Sequence, residues 1–261
     1  MHYYVNVVHE RFPVAHIIQE APPPRHAAPP SFFRRALASG ARLVAKDSQD
    51  ALDQKTRRQR DEILGARVAG FPSGVPIMRV EDINSPAVRD FLRAERPDAI
   101  LVQGTSIVRD ATLPDGVFNF NVHAGLSPYY RGGSCIAWAL VNWDPYNIGV
   151  TLHRLTERAD AGPIIAQRRV VPSENDTSRS ISYKLTKEGA ALALAVLERV
   201  ATGGGVEHYP QDVSVGHCYA AGHLHPEMRA LVDRIDRDGL IADMLRVPST
   251  RVKRPIVEWS A

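Results

Sequence analysis

One strand–helix–strand pattern constrains the fold more than any other part of the sequence. Residues 75–80 form a largely apolar, strand-like run, and Ser85 and Pro86 then predict the start of a helix. Serine is a good N-cap and proline suits the first helical turn. That helix ends near Glu95, and the apolar run Ala99–Val102 predicts a buried strand. A strand, a helix and a strand at this spacing are typical of a βαβ unit, so the sequence predicts a parallel sheet.

Further elements follow towards the carboxyl terminus. Residues 149–155 and 163–171 predict two more strands, and a long helix rich in alanine and leucine begins at Asp176 or Thr177. That helix ends at the triple glycine 203–205. We therefore predict an α/β protein with a Rossmann-like, mostly parallel sheet flanked by helices.

The triple glycine is the best domain boundary in the sequence. Residues 1–203 are expected to form the main domain and residues 206–261 a short carboxyl-terminal extension, because the latter show no periodicity long enough for a core of their own. At the other end of the chain we expect four elements, namely a helix over 1–11, a buried strand over 14–18, an extended proline-rich loop over 22–30 and a helix over 31–66. The basic run 55–60 is better explained as a solvated helix face than as a phosphate site.

Composition excludes several classes of protein. The chain has 261 residues, enough to bury a core without disulfides or a metal. Its formal charge of +3 is too small to indicate nucleic acid or an acidic membrane surface, and no apolar run is long enough to predict a transmembrane helix. Two cysteines far apart in sequence, Cys135 and Cys218, favour the cytoplasm over a disulfide scaffold.

Residues 117–123 carry the first chemical signal. The sequence alternates strictly, so in a strand Asn119, Asn121 and His123 share one face, opposite an apolar one. A histidine alone on such a face would more often belong to an internal network of hydrogen bonds. However, a loop rich in glycine and proline follows over 124–133, and ligands of parallel sheets lie beyond the carboxyl ends of the strands. The strand therefore predicts a ligand site near His123.

A second signal lies around Asp160. The strand 149–153 reads Gly-Val-Thr-Leu-His, and a loop then leads to the segment Asp160–Gln167, which reads Asp-Ala-Gly-Pro-Ile-Ile-Ala-Gln. An aspartate before a glycine is often only a turn residue. A functional role for Asp160 and a turn role carry about equal weight at this point.

Taken together, these motifs resemble the folate-dependent formyltransferase family, which includes glycinamide ribonucleotide, methionyl-tRNA and amino-sugar formyltransferases. The resemblance rests on Asn121-Val122-His123, on Gly-Leu-Ser-Pro-Tyr-Tyr-Arg-Gly over 125–132, and on the two segments around Asp160. It is specific over about residues 98–171 and weaker over about 1–200. The resemblance implies formyl transfer from 10-formyltetrahydrofolate to an amine.

The resemblance also implies a catalytic constellation of Asn121, His123 and Asp160. An imidazole titrates near neutrality, so His123 can move protons in both directions as the amine loses one and the folate nitrogen gains one. The Asn121 amide can donate a hydrogen bond to the oxyanion that develops on the formyl group. Asp160 can hold a water molecule or orient His123.

Two loops correspond to the folate-binding segments of the family. They are Gly104, Thr105, Ser106, Ile107 and Val108 after one strand, and Glu157, Arg158 and Ala159 before Asp160. Arg158 stands where the family often has glycine, which puts the individual pterin contacts in question. For the acceptor we expect contacts with Tyr129, Tyr130 and Arg131.

The start of the chain departs from the family pattern, in which a strand and a glycine-rich turn precede the first helix. Here the sequence begins within a helix, so we expect either that the first strand is absent or that this start lies downstream of the real one. Because that turn helps to bind phosphate in some relatives, no phosphate-binding residue is assigned.

The acceptor that we expect is a nucleotide-linked amino sugar. Alternatives are a hydroxylamino acid or another metabolite amine, methionyl-tRNA, or a non-catalytic folate-binding role. Residues 206–261 hold seven Lys and Arg against eight Asp and Glu, a balance poorly suited to tRNA. We expect no nucleic-acid or membrane partner and leave a homodimer open. We also expect no metal, because the spacing of His217, Cys218, His223 and His225 matches no common zinc pattern.

Overall fold

The computed structural model of the protein describes residues 1–21, 42–248 and 252–259, without the side chains of residues 42–51 and 221. Its helices are α1 (His2–His9), α2 (Arg42–Leu64), α3 (Pro86–Glu95), α4 (Cys135–Val141), α5 (Ser178–Ala201), α6 (Pro226–Arg237) and α7 (Leu240–Arg246). Its strands are β1 (Ile17–Glu20), β2 (Ile77–Val80), β3 (Ala99–Val102), β4 (Phe118–His123), β5 (Tyr130–Gly132), β6 (Gly149–His153), β7 (Ile164–Arg169) and β8 (His217–Tyr219). No helix within these ranges combines the length and the apolar character needed to cross a bilayer.

The strands form three hydrogen-bonded groups flanked by helices. β1 pairs with β2, and β5 pairs with β8, both in parallel. The third group has the order β3-β4-β6-β7, in which β3 and β4 are parallel and the other two pairs are antiparallel. The predicted α/β class with parallel strands and flanking helices is confirmed, while β6 and β7 form an antiparallel edge.

Local capping signals set the helix boundaries as predicted. α3 starts after Ser85, whose side chain accepts a hydrogen bond from the Val88 N–H, and Pro86 lies in its first turn. α5 starts after Thr177, which forms a capping box with Ser180. β1 begins three residues later than its predicted start at residue 14. The proline-rich loop over 22–30 and the first part of the helix over 31–66 lie outside the described residues.

The main core is built around α5 and the four-stranded sheet. Leu185 and Leu192 of α5 are buried against the sheet residues Phe120, Val150 and Leu152. The carboxyl-terminal segment adds to this same core through the buried side chains of Ile235, Ile241 and Met244. The division into residues 1–203 and 206–261 stays a prediction, and the packing of α6 and α7 explains why the extension needs no core of its own.

A large apolar cavity separates β1 from β3. His16 lies 3.4 Å from the Glu95 carboxylate before the two strands begin, and Glu20 bonds to Ser106 where they end, so β1 and β3 run in the same direction. Among the described residues, no strand pairs with the facing edges of β1 and β3. The cavity between them has a volume of about 820 Å³, far more than the voids of a packed interior.

The walls of this cavity are helical as well as stranded. Residues of α1 and α5, among them Val5 and Val200, line it, and so do residues of α3 such as Phe91. The cavity, which we call the strand slot, therefore has apolar walls above and below the plane of the sheet. The expectation that the first strand is missing stays a prediction.

Candidate functional site

Strand β4 places two polar side chains at one point of the sheet. Phe120 and Val122 point into the core and are almost fully buried, while Asn121 and His123 lie on the opposite face. Asn121 pairs with Val102 on one side and with His153 on the other. The alternation predicted from the sequence is therefore present, and it brings His153 directly beside Asn121.

Asp160 lies in the loop between β6 and β7 and connects these groups. One carboxylate oxygen accepts a hydrogen bond from Asn121 Nδ2 at 3.1 Å, and the other accepts one from the Gly132 N–H at 2.8 Å. His123 Nδ1 and His153 Nε2 each lie 3.2 Å from the carboxylate. Of the three residues predicted as catalytic, Asn121 and His123 thus both contact the third, Asp160.

The loop around Asp160 is held in a defined shape. Asp160 itself has a positive φ of 47°, and a Cβ atom at Gly162 would overlap the Arg154 carbonyl, so only glycine fits there. The Asp160 carbonyl accepts hydrogen bonds from Ser127 Oγ at 3.3 Å and from Gln211 Nε2 at 3.1 Å. The carboxyl-terminal segment therefore helps to fix the position of Asp160.

His123 is buried between two oxygen acceptors. Its Nε2 lies 2.9 Å from the Tyr130 carbonyl and its Nδ1 faces Asp160. Two acceptors favour a proton on each ring nitrogen. Burial nevertheless lowers the pKa of His123, although the Asp160 carboxylate and the Tyr130 carbonyl favour the charged ring. The imidazole therefore gives up its second proton more readily than an exposed histidine does.

Asp160 is the fixed negative charge of the site. Burial alone would raise its pKa, but the charge of His123, the hydrogen bond and charge of His153, and the Gly132 N–H lower the pKa to about 2. Asp160 is therefore a carboxylate at neutral pH. A carboxylate between two imidazoles can hold a proton on either ring, which is the arrangement that proton transfer at neutral pH needs.

His153 is a site residue to which the sequence motifs assign no role. Its Nδ1 lies 2.8 Å from the Arg154 carbonyl, and its Nε2 lies 3.2 Å from the Asp160 carboxylate. Asn121 Nδ2 lies 3.1 Å from this Nε2. Asn121 thus donates to Asp160 and also contacts His153. A hydrogen bond from Asn121 to an oxyanion would replace the one to Asp160.

The predicted folate-binding loops lie beside this cluster. Residues 104–108 follow β3, next to Asn121 in the sheet, and Val108 is buried while Ile107 is exposed. In the second loop Glu157 and Arg158 are exposed. The Glu157 carboxylate accepts a hydrogen bond at 3.3 Å from the N–H of Asp110, two residues after the first loop. Their role in folate binding stays a prediction.

The residues predicted to contact the acceptor already have partners within the protein. Tyr130 is 3% exposed and donates a hydrogen bond to Asp144. Arg131 is buried and donates to the Val213 carbonyl at 3.0 Å. The Tyr129 hydroxyl donates to the Pro255 carbonyl at 3.0 Å. Their role in acceptor binding stays a prediction.

The segment that contains His217, Cys218, His223 and His225 was considered above as a metal site. Cys218 lies in β8 and is exposed. In the part of the chain that the structure describes, no group of three or more His, Cys, Asp or Glu side chains is arranged to hold a metal ion.

Comparison with known proteins gives a consistent result. The family model for formyl transferase matches residues 40–197, more than half of the chain. A methionyl-tRNA formyltransferase of Chlorobium chlorochromatii is 28% identical over 193 residues, which cover 74% of this chain and 61% of that protein. A second methionyl-tRNA formyltransferase, of Chlorobium limicola, is 32% identical over 170 residues, with 62% and 51% covered. The chain thus spans between half and two thirds of the curated relatives that it matches.

Solved structures share the fold at low identity. The formyltransferase PseJ from Anoxybacillus kamchatkensis, in complex with UDP-4,6-dideoxy-4-formamido-L-AltNAc and tetrahydrofolate, is 22% identical, with a TM-score of 0.51. That match covers 72% of this chain and 95% of PseJ. A 4-N formyltransferase from Francisella tularensis is also 22% identical, with a TM-score of 0.50 over 62% of this chain and 67% of the other.

Proposed function

This chain belongs to the formyl transferase family, and we propose that it transfers the formyl group of 10-formyltetrahydrofolate to a primary amine of a small molecule. The observation that carries the proposal is the cluster in which one carboxylate, Asp160, contacts Asn121, His123 and His153. The folate donor is supported by PseJ, which was solved with tetrahydrofolate.

The reaction needs two proton movements that this cluster is suited to make. The amine nitrogen attacks the formyl carbon and forms a new C–N bond, and a tetrahedral oxyanion develops. The amine loses a proton, and the C–N10 bond of the folate breaks as N10 gains one. We assign the proton transfer to His123 together with Asp160, because the imidazole releases its second proton readily and the carboxylate stays charged.

Asn121 is assigned to the developing oxyanion. Its amide nitrogen donates to Asp160 and lies 3.1 Å from His153 Nε2 before substrate binds. In this assignment the amide turns its hydrogen bond from Asp160 to the oxyanion, and it stabilises charge that develops only in the transition state.

For the acceptor we favour a nucleotide-linked amino sugar. PseJ, whose complex contains a formamido sugar nucleotide, is covered over 95% of its length by the match to this chain. Residues 206–261 carry one more acidic than basic residue, whereas an RNA-binding segment needs a basic surface.

Methionyl-tRNA is the second candidate acceptor, because both curated relatives carry the name methionyl-tRNA formyltransferase. The two candidates differ in salt dependence, since binding through phosphates weakens steeply as salt is raised. Turnover of an amino sugar is expected to be much less sensitive.

The test is a panel of amines incubated with 10-formyltetrahydrofolate and read out by the mass gain of one formyl group. The panel contains UDP- and dTDP-linked amino sugars, hydroxylamino acids and methionyl-tRNA. We expect turnover of an amino sugar, and formylation of the tRNA alone would replace this acceptor by the second one. Binding of tetrahydrofolate without turnover of any amine would instead support a non-catalytic folate-binding protein.

His123→Asn tests the catalytic assignment. It should lower kcat by roughly 10²–10⁴-fold, the usual contribution of a general acid–base group, while tetrahydrofolate still binds by calorimetry. His225→Asn, at an exposed histidine before α6, is the matched control and should keep wild-type kcat. Full activity of His123→Asn would remove His123 from the mechanism.

A further inference from the structure

The loop Gln103–Arg109 has no regular secondary structure and yet is held at both ends of its exposed tip. It leaves β3 beside Asn121, and Gly104 has a φ of 69°. Ile107 at the tip is 48% exposed, an unusual position for a large apolar side chain. The loop is held by two side chains, one at the end of β1 and one in the segment between β2 and α3.

Glu20, the last residue of β1, holds one end of the tip. Its carboxylate accepts hydrogen bonds from the Ser106 N–H and the Ser106 hydroxyl, each at 2.7 Å. It also accepts one from the Ile83 N–H at 3.0 Å. Burial alone would raise the pKa of Glu20, but these hydrogen bonds lower it, so the group is charged at neutral pH. Hydrogen bonds to a charged acceptor are roughly twice as strong as neutral ones.

Asn84 holds the other end. Its side-chain oxygen accepts hydrogen bonds from the Arg109 N–H at 2.8 Å and from the Thr112 hydroxyl at 3.0 Å. Its side-chain nitrogen donates to the Ile107 carbonyl at 2.9 Å. One amide thus satisfies a backbone donor and a backbone acceptor of the loop, and two side chains together fix the backbone on both sides of Ile107.

We propose that Glu20 and Asn84 are positioning residues that hold the loop Gln103–Arg109 in its folate-binding conformation. The proposal rests on the proposed function, in which this loop contacts the pterin ring. A loop that is already ordered loses little conformational entropy when a ligand binds, so losing either anchor costs affinity. The reacting groups Asn121, His123 and Asp160 lie on other elements, so the catalytic step itself stays intact.

The loop conformation is measured without any ligand. Amide hydrogen exchange of residues 103–109 is compared in the wild type, Glu20→Gln and Asn84→Ala. Both substitutions should accelerate exchange in this segment and leave β4 and α5 unchanged. Glu81→Gln, at an exposed carboxylate one residue after β2, is the matched control and should exchange as the wild type does. Unchanged exchange in both loop variants overturns the proposal whether or not the protein binds folate.

The functional half of the experiment uses tetrahydrofolate and 10-formyltetrahydrofolate. In Glu20→Gln, the Kd for tetrahydrofolate and the KM for 10-formyltetrahydrofolate should rise about tenfold, while kcat and the KM for the amine stay near wild type. A merely structural loss would lower the melting temperature and change all of these constants together. If exchange accelerates and folate binding is unchanged, the loop is anchored but does not bind folate, and the proposal is wrong.

Failure of the proposed function gives a different pattern. In that case the wild type itself binds no tetrahydrofolate, whereas hydrogen exchange still reports the anchoring by Glu20 and Asn84. That result overturns the folate role of the loop together with the proposed function.

Discussion

Filling the strand slot should stabilise the protein. The slot lies between the facing edges of β1 and β3, with which no strand pairs in the part of the chain that the structure describes. Met1, directly before α1, lines the slot. In a right-handed βαβ unit, a strand that precedes α1 would lie parallel to β1 and beside it. We therefore expect four apolar residues and a short glycine-containing turn, added before Met1, to enter the slot and pair with both β1 and β3.

The size of the effect follows from the walls of the slot. Because α1 and α5 cover one face and α3 the other, all four side chains would be buried, which contributes about 8 kcal/mol. Hydrogen bonds to the edges of β1 and β3 contribute about 4 kcal/mol. Ordering four residues costs about 9 kcal/mol. The net gain is about 3 kcal/mol, equivalent to a rise in melting temperature of roughly 6 to 12 °C for a domain of this size.

Thermal unfolding followed by circular dichroism measures the change. The control is an extension of the same length with glycine and serine in place of the four apolar residues, which stays flexible and has nothing to bury. The apolar extension should raise the melting temperature and the control should not. Equal melting temperatures for the two extended proteins would refute the assignment of the cavity as a strand site.

Three further predictions concern single residues of the site. The pKa of Asp160 in the folded protein is about 2, below its ordinary value of 3.8. The stability that the charged Asp160 contributes is therefore complete above about pH 4 and is lost as the pH falls towards 2. In acid unfolding, Asp160→Asn should make stability depend less on pH in this range. Burial raises the pKa of the Cys135 thiol while Cys218 is exposed, so a thiol reagent at neutral pH should titrate one cysteine in the native protein and two in denaturant. A methyl group at Gly125 would overlap His123 and the Tyr130 carbonyl, so Gly125→Ala should lower kcat strongly without weakening tetrahydrofolate binding, and unchanged turnover would contradict the close packing around His123.

The elements that the sequence predicts best are those whose limits are set by local chemistry. α3 begins and ends at its predicted residues, because a serine N-cap with proline marks its start and Arg96, in a left-handed conformation, ends it. The limits of β1 depend instead on its register with β2, in which Ile17 pairs with Ile77, and periodicity contains no such information. Strand direction is likewise set by pairing between distant segments, so local sequence patterns do not predict the antiparallel pairing of β6 with β4.

Some residues of the site can also be predicted from the sequence, whereas others are revealed only by the tertiary structure. Asn121 and His123 were accessible from the alternation of a single strand, and Asp160 from the resemblance to a family. His153 acquires its role only through the antiparallel register that places it opposite Asn121. Glu20 lies 86 residues before its partner Ser106, a contact that no local pattern reveals.

The strand slot and the loop anchors are two consequences of one arrangement. Because no strand of the described residues pairs with both β1 and β3, strand pairing there does not fix the distance between the β1–β2 pair and the rest of the site. The loop after β3 therefore depends on side-chain hydrogen bonds, which Glu20 supplies from the end of β1 and Asn84 from the segment between β2 and α3. The catalytic cluster is different, because Asn121, His123 and His153 lie on two strands that pair directly. Substitutions at the strand slot should therefore change the affinity for folate, through the loop, before they change kcat.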